Sequence, residues 1–217
     1  MKLDKSVLSL YAVTDRRWCG EKTFEQQIEE SIEGGITILQ LREKNITYQK
    51  FKDEGIKVKK ICSAYHIPFI IDDDVYLAKE IDADGVHIGQ SDMKLIDARK
   101  VLGKEKIIGV SVQTVEQAVS AEKYGADYLG VGAVFSTNTK DDADSVSIET
   151  LKEICASVSI PVVAIGGITF ENIASLSGSG ISGIAAISAI YAQKDIRHSC
   201  KLLHNKVREC FYGTDAF

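Results

Sequence analysis

Eight short apolar runs, each followed by a stretch with helical periodicity, recur from one end of the chain to the other. This alternation constrains the fold more than any other feature. The runs are Leu8–Thr14, Ile36–Leu41, Pro68–Asp72, Gly85–Ile88, Lys106–Ser111, Asp127–Gly132, Pro161–Ile165 and Gly183–Ile187. Most are continuously apolar rather than alternating, which is the pattern of parallel strands covered on both faces. Amphipathic spacing predicts helices over Phe24–Glu33, Tyr48–Tyr65, Val75–Ile81, Leu95–Leu102, Val115–Tyr124, Ile148–Ser157 and Phe170–Leu176, with a last one inside Asp195–Phe211. Strand then helix, eight times over, means either a closed (β/α)8 barrel or a doubly wound open sheet. The barrel is the stronger reading. The count is right, and small residues precede several strands, as in GGITILQL, GADYLGVG and SGISGIAAIS, where glycine suits a helix C-terminal cap. No Gly-x-Gly-x-x-Gly opens the first helix, so the dinucleotide-binding open sheet loses its best signal. At 217 residues the chain is close to the roughly 200 residues at the lower end for that fold. A single TIM barrel over residues 1–217 is therefore expected.

Composition narrows the partners. With 31 acidic against 26 basic residues the net charge is −5, so nothing draws the chain generally to nucleic acid or to an anionic membrane. The N-terminal apolar run is too short for a signal peptide, and no run of about 18 apolar residues occurs, so a cytoplasmic protein is expected. The five cysteines show no Cys-x-x-Cys spacing and read as buried or incidental thiols.

In a barrel of this kind the active site lies at the C-terminal ends of the strands. The residues there are polar: Thr14 and Asp15; Gln40, Arg42, Glu43 and Lys44; Asp72, Asp73 and Asp74; His87, Gln90 and Asp92; Ser111; Thr137, Thr139 and Lys140; Gly166 and Gly167; Ser188. For Asp15 and Asp74 the plainer reading is a helix N-cap in a solvated loop. Arg42 and Lys44 alternate with Leu41 and Glu43, so both point the same way, either at an anion or into structural salt bridges. Asp73 and Asp92 end neighbouring strands, and either share a hard cation or are solvated separately. Mg²⁺ uses one or two carboxylates, waters and substrate phosphate oxygens. Gly166-Gly167, followed by an expected helix at Thr169–Asn172, and Ile187-Ser188 opening the last helix, match the phosphate site after strands seven and eight, or else a tight turn. His87 reads as a packing residue, or one that supports a site residue from behind, rather than a direct participant.

Taken in order, the segments LYAVTD (10–15), QLREK (40–44), IIDDDVYLA (70–78), GVHIGQSD (85–92), GVSV (109–112), FSTNTK (135–140), AIGGIT (164–169) and ISAI (187–190) make the chain resemble the thiamine-phosphate synthase family. The resemblance implies condensation of 4-amino-5-hydroxymethyl-2-methylpyrimidine diphosphate with 4-methyl-5-(2-phosphoethyl)-thiazole, giving thiamine phosphate and pyrophosphate. By position it implies that Gln40, Arg42, Lys44, Ser111 and Lys140 hold the pyrimidine diphosphate and that Asp73 and Asp92 bind Mg²⁺. Thr137, Thr139, Gly167, Ile187 (through its backbone) and Ser188 then hold the thiazole phosphate. Arg42, Lys44, Lys140 and Ser111 carry the catalytic charge neutralisation, and no general base is needed. A homo-oligomer is also implied.

Two positions depart from the family pattern. Asp72, counted with the substrate-binding residues by position, stands where the family usually has Asn, which loses an amide donor and offers a further carboxylate for metal. Ser136 replaces a proline, which removes a fixed φ and makes the loop 136–145, with Asp141, Asp142 and Asp144, a candidate lid. Two other functions fit less of the constellation: a thiazole tautomerase-like isomerase, which needs no diphosphate and metal set, and a non-catalytic phosphate-binding barrel. The tail Tyr212–Phe217 is expected to fray.

Overall fold

The structure, a computed structural model, describes residues 3–136 and 145–213. Eight parallel strands close on themselves in sequence order: β1 (Leu10–Val13), β2 (Ile38–Leu41), β3 (Phe69–Asp72), β4 (Gly85–Ile88), β5 (Ile107–Val112), β6 (Tyr128–Val131), β7 (Val162–Ile165) and β8 (Gly183–Ala186). β8 pairs with β1 through Leu10 opposite Ile184, so no sheet edge is left open. Pro68 and Pro161 sit just before β3 and β7 and serve as acceptors, their carbonyls taking the N–H groups of Leu39 and Leu129.

The helices α1 (Phe24–Glu33), α2 (Tyr48–Ala64), α3 (Val75–Glu80), α4 (Leu95–Leu102), α5 (Val115–Lys123), α6 (Ile148–Ser157), α7 (Ser188–Tyr191) and α8 (Ile196–Val207) accompany the strands. Thr23, Thr47, Asp74, Thr114, Ser147 and Asp195 each cap a helix with a side-chain oxygen, worth typically ~1 kcal/mol apiece. Asp74 is thus the N-cap it was read to be, and Asp15 caps the short 3-10 turn Arg16–Trp18. No described helix is long and apolar enough to cross a membrane.

Two helix expectations are corrected. After β7 the chain makes only a 3-10 turn at Ile173–Leu176. Asn172 prevents a helix starting earlier, because its side chain accepts from Thr169 N–H and donates to the Gly167 carbonyl, closing the loop on itself. The last helix lies inside Asp195–Phe211 as expected, α8 behind its own cap Asp195, but Ile187-Ser188 opens a separate single turn, α7, and not that helix. At the tail, Tyr212 is not frayed. Its hydroxyl donates to the Ser182 carbonyl at 2.5 Å, while residues 214–217 lie outside the described set.

Strand periodicity divides the core into two layers. Leu10, Ala12, Leu39, Leu41, Ile71 and Val86 face the helices in the larger apolar cluster. Leu8, Tyr11, Val13, Ile38, Ile70, Tyr128, Val163 and Ala185 fill the barrel interior. Moving two residues along a strand keeps the side chain inside, so Ile38 is followed by Gln40 and Arg42, Ile70 by Asp72, and Ile107 by Gly109 and Ser111. The interior is therefore apolar at the bottom and polar at the top.

Candidate functional site

The polar layer opens into a cavity of about 480 Å³ at the C-terminal mouth. It is lined among others by Gln40, Arg42, Lys44, Asp72, Asp73, Asp92, Ser111, Gly167, Ile187 and Ser188. These are the site residues expected from the sequence, except Thr137, Thr139 and Lys140. Those three, with Asp141, Asp142 and Asp144 of the candidate lid, lie outside the described residues.

The segment after β2 shows how backbone alternation sorts charge. Glu43 turns outward to Arg16, whose Nε lies 2.7 Å from Glu43 Oε1 and whose Nη2 lies 2.6 Å from Glu54 Oε2. Arg16 also stacks 4.1 Å above the Phe24 ring. Burial pushes the Glu43 carboxyl above its ordinary range despite Arg16 beside it. Arg42 and Lys44 turn inward. The Arg42 backbone is fixed by buried Thr14, whose hydroxyl accepts from Arg42 N–H at 3.0 Å.

Inside, cations and carboxylates interleave. Lys44 Nζ lies 2.5 Å from Asp73 Oδ2 and 3.7 Å from Asp72 Oδ2; Arg42 Nε lies 3.6 Å from the same Asp72 oxygen. Arg42 Nε is buried with no hydrogen-bond partner among the described residues, the Asp72 oxygen lying just beyond hydrogen-bond reach. For Lys44, burial pulls the pKa down, but the hydrogen bond to Asp73 and the charges of Asp72 and Asp73 more than offset it, leaving the ammonium above the ordinary lysine range. Asp92 is raised by burial and by its hydrogen bond and repulsion with Asp73, against the lowering effect of the Gly89 N–H that donates to it at 2.7 Å. The two carboxylates expected to share a cation therefore do meet.

Among the described residues no three acidic, histidine or cysteine side chains converge to cage a metal by themselves. The donor set is two carboxylates, which fits Mg²⁺ with its remaining positions filled by water and substrate oxygens. Asp72 lies with Arg42 and Lys44, and among the described residues it joins no group of three metal-ligating side chains.

At the opposite rim, Gly166 (φ 99°) and Gly167 (φ 62°) form a left-handed pair. A Cβ on Gly166 would come 2.5 Å from Ala133 Cβ, and one on Gly167 would come 2.4 Å from the Ser136 carbonyl oxygen. The glycines are required by the segment after β6, which Val134 and Phe135 tie to β7 through the carbonyls of Ile165 and Gly166. Ile187 occupies the N-cap position of α7 and makes no side-chain cap, and it lines the cavity together with Ser188, the first residue of that turn.

Tyr11 and Tyr128 went unassigned in the sequence, and His87 was read as packing or support. Within the apolar runs the two tyrosines looked like core, and only their two-residue offset from Val13 and Gly130 marks them as interior. They link Gln40 to Ser111 in an unbroken series of hydrogen bonds.

The family model for thiamine monophosphate synthase matches residues 10–190. The chain is 51% identical over 195 residues to thiamine-phosphate synthase of Ruminiclostridium cellulolyticum, covering 90% of this chain and 93% of that protein. It is 50% identical over 200 residues to thiamine-phosphate synthase of Clostridium acetobutylicum, covering 92% and 95%. A solved structure of thiamine phosphate pyrophosphorylase from Pyrococcus furiosus aligns with a TM-score of 0.88 at 40% identity, covering 95% of this chain and 98% of that one.

Proposed function

The chain belongs to the thiamine monophosphate synthase family and is a thiamine phosphate-forming transferase, and on that premise we propose that its cavity joins 4-amino-5-hydroxymethyl-2-methylpyrimidine diphosphate to 4-methyl-5-(2-phosphoethyl)-thiazole by dissociative loss of pyrophosphate. The observation that carries this reading is that Arg42, whose buried Nε has no hydrogen-bond partner among the described residues, lines one cavity with Lys44, Asp73 and Asp92. Such a set suits a diphosphate that brings its own cation.

In the reaction the bond between the pyrimidine methylene carbon and the diphosphate oxygen breaks, and its electron pair leaves with pyrophosphate. The resulting cation is stabilised by the ring amino group, and the thiazole nitrogen supplies the pair for the new C–N bond. Neither step needs a protein base. Arg42 and Lys44, with Lys140, neutralise the leaving charge, and Ser111 donates a hydrogen bond to it. Gln40 orients the pyrimidine ring. Asp73 and Asp92 would hold Mg²⁺, which supplies further neutralisation of the diphosphate. Thr137, Thr139, Gly167, Ile187 and Ser188 hold the thiazole phosphate, the last three at the glycine turn and the uncapped N-terminus of α7. The chain works in the cytoplasm on these two small molecules.

Variants test the assignment. Arg42→Ala or Asp73→Ala should each lower turnover by about 100-fold or more. His66→Ala, in the turn before β3 at the far end of the barrel, should leave it within about twofold. Equal losses in all three would refute the site.

A further inference from the structure

The barrel interior carries a line of hydrogen bonds that joins residues of five strands and whose direction can be read. Gln40 Nε2 donates to Tyr11 Oη at 3.0 Å. The Tyr11 and Tyr128 hydroxyls lie 2.8 Å apart. Tyr128 Oη is 2.9 Å from His87 Nδ1, and His87 Nε2 is 2.9 Å from Ser111 Oγ.

Each phenol has one proton to give. If Tyr128 donated to Tyr11, the Tyr11 oxygen would receive both that proton and the Gln40 N–H, and its own buried proton would have no acceptor among the described residues. Tyr11 therefore donates to Tyr128, and Tyr128 donates to His87 Nδ1. That nitrogen is then bare, so the neutral imidazole carries its proton on Nε2 and donates it to Ser111 Oγ. The Ser111 proton is left pointing at the cavity. Burial pushes both phenols far above the ordinary tyrosine range, so each keeps the proton the relay needs.

The relay has room made for it. A Cβ on Gly109 would lie 2.1 Å from Tyr128 Cζ and 2.5 Å from His87 Nδ1, and one on Gly130 would lie 3.1 Å from His87 Cε1. Two neighbouring strands thus give up side chains where the His87 and Tyr128 rings lie, their centroids 5.5 Å apart. We propose that Tyr11, Tyr128 and His87 are positioning residues that hold Ser111 as a hydrogen-bond donor to the departing diphosphate. This rests on the synthase reading for the identity of the acceptor, but the tautomer of His87 does not. Series of this kind also polarise, so the Ser111 bond strengthens as charge develops on the leaving oxygen.

Long-range proton–nitrogen NMR on the full-length, ¹⁵N-labelled protein reads the tautomer directly, with His87→Gln assigning the signal. The expected spectrum shows His87 neutral, with Nε2 protonated and Nδ1 bare. A proton on Nδ1 would overturn the proposal whatever the activity, whereas a correct tautomer in a protein without synthase activity would overturn the synthase reading instead. Kinetics supply the second arm. Tyr128→Phe should lower kcat by about tenfold with the KM for thiazole phosphate unchanged. Combined with Ser111→Ala it should add less than about twofold to the loss from Ser111→Ala alone. Tyr11→Phe, which removes one hydroxyl at the distal link, should show the same non-additivity if Tyr128→Phe fails to fold. Fully additive losses would contradict a role exerted through Ser111.

Discussion

Lys44 Nζ lies 2.5 Å from Asp73 Oδ2, so a cation assigned to the diphosphate and a carboxylate assigned to the metal are partnered with each other. A diphosphate that takes Lys44 releases Asp73, and Mg²⁺ that takes Asp73 releases Lys44. The two ligands should therefore bind with positive coupling. Calorimetric titration of Mg²⁺ with saturating pyrophosphate present should give an affinity at least about fivefold tighter than for Mg²⁺ alone, after correction for the Mg²⁺–pyrophosphate complex formed in solution. Independent binding would contradict the exchange.

Asp72 competes for the same cations, 3.6 Å from Arg42 Nε and 3.7 Å from Lys44 Nζ. Removing about 1 kcal/mol of such attraction is worth roughly fivefold in affinity. Asp72→Asn should lower the KM for the pyrimidine diphosphate by about that factor, with the Mg²⁺ concentration for half-maximal rate unchanged. A large change in Mg²⁺ dependence would instead put Asp72 among the metal ligands.

Gly109→Ala puts a methyl group into Tyr128 and His87. Overpacking of a filled interior costs typically about 1–3 kcal/mol, so the variant should melt several degrees lower. Unchanged thermal unfolding would mean that the rings move aside freely, and the interior line would not be rigid.

How much of this was legible in the sequence follows from what a strand pattern encodes. Eight runs and their helices gave the barrel, and position at a strand end gave Arg42, Lys44, Asp73 and Asp92. The interior was harder to read. In a parallel barrel both faces of a strand are covered, so the runs around Tyr11 and Tyr128 are apolar throughout and do not reveal which residue points inward. His87 was read as packing or as a support behind a site residue, and its bond to Ser111 makes it the latter; its two partners, 24 and 41 residues away on other strands, could not be named from the sequence. The turn at 169–176 was misread because Asn172 acts through a local side-chain bond that periodicity does not register. The partnership of Lys44 with Asp73 depends on side-chain reach across neighbouring strand ends.

Away from the site, burial and the neighbouring Arg208 hold the His204 imidazole below the ordinary histidine range. The folded chain thus binds that proton less readily than the unfolded chain. The stability this contributes is present above the unfolded value near 6.5 and is lost as pH falls through it toward the folded value. Between pH 7.5 and pH 5.5 the melting temperature of His204→Gln should fall less than that of the parent chain. Parallel curves would remove His204 from the acid response.

The central claim is tested most directly by mixing the pyrimidine diphosphate and the thiazole phosphate with Mg²⁺ and the folded protein, and following both products in time. Thiamine phosphate and pyrophosphate should appear together in equal amounts, and neither should form if either substrate is left out. A folded protein that yields no thiamine phosphate at saturating substrates, or that only isomerises the thiazole, would contradict the account.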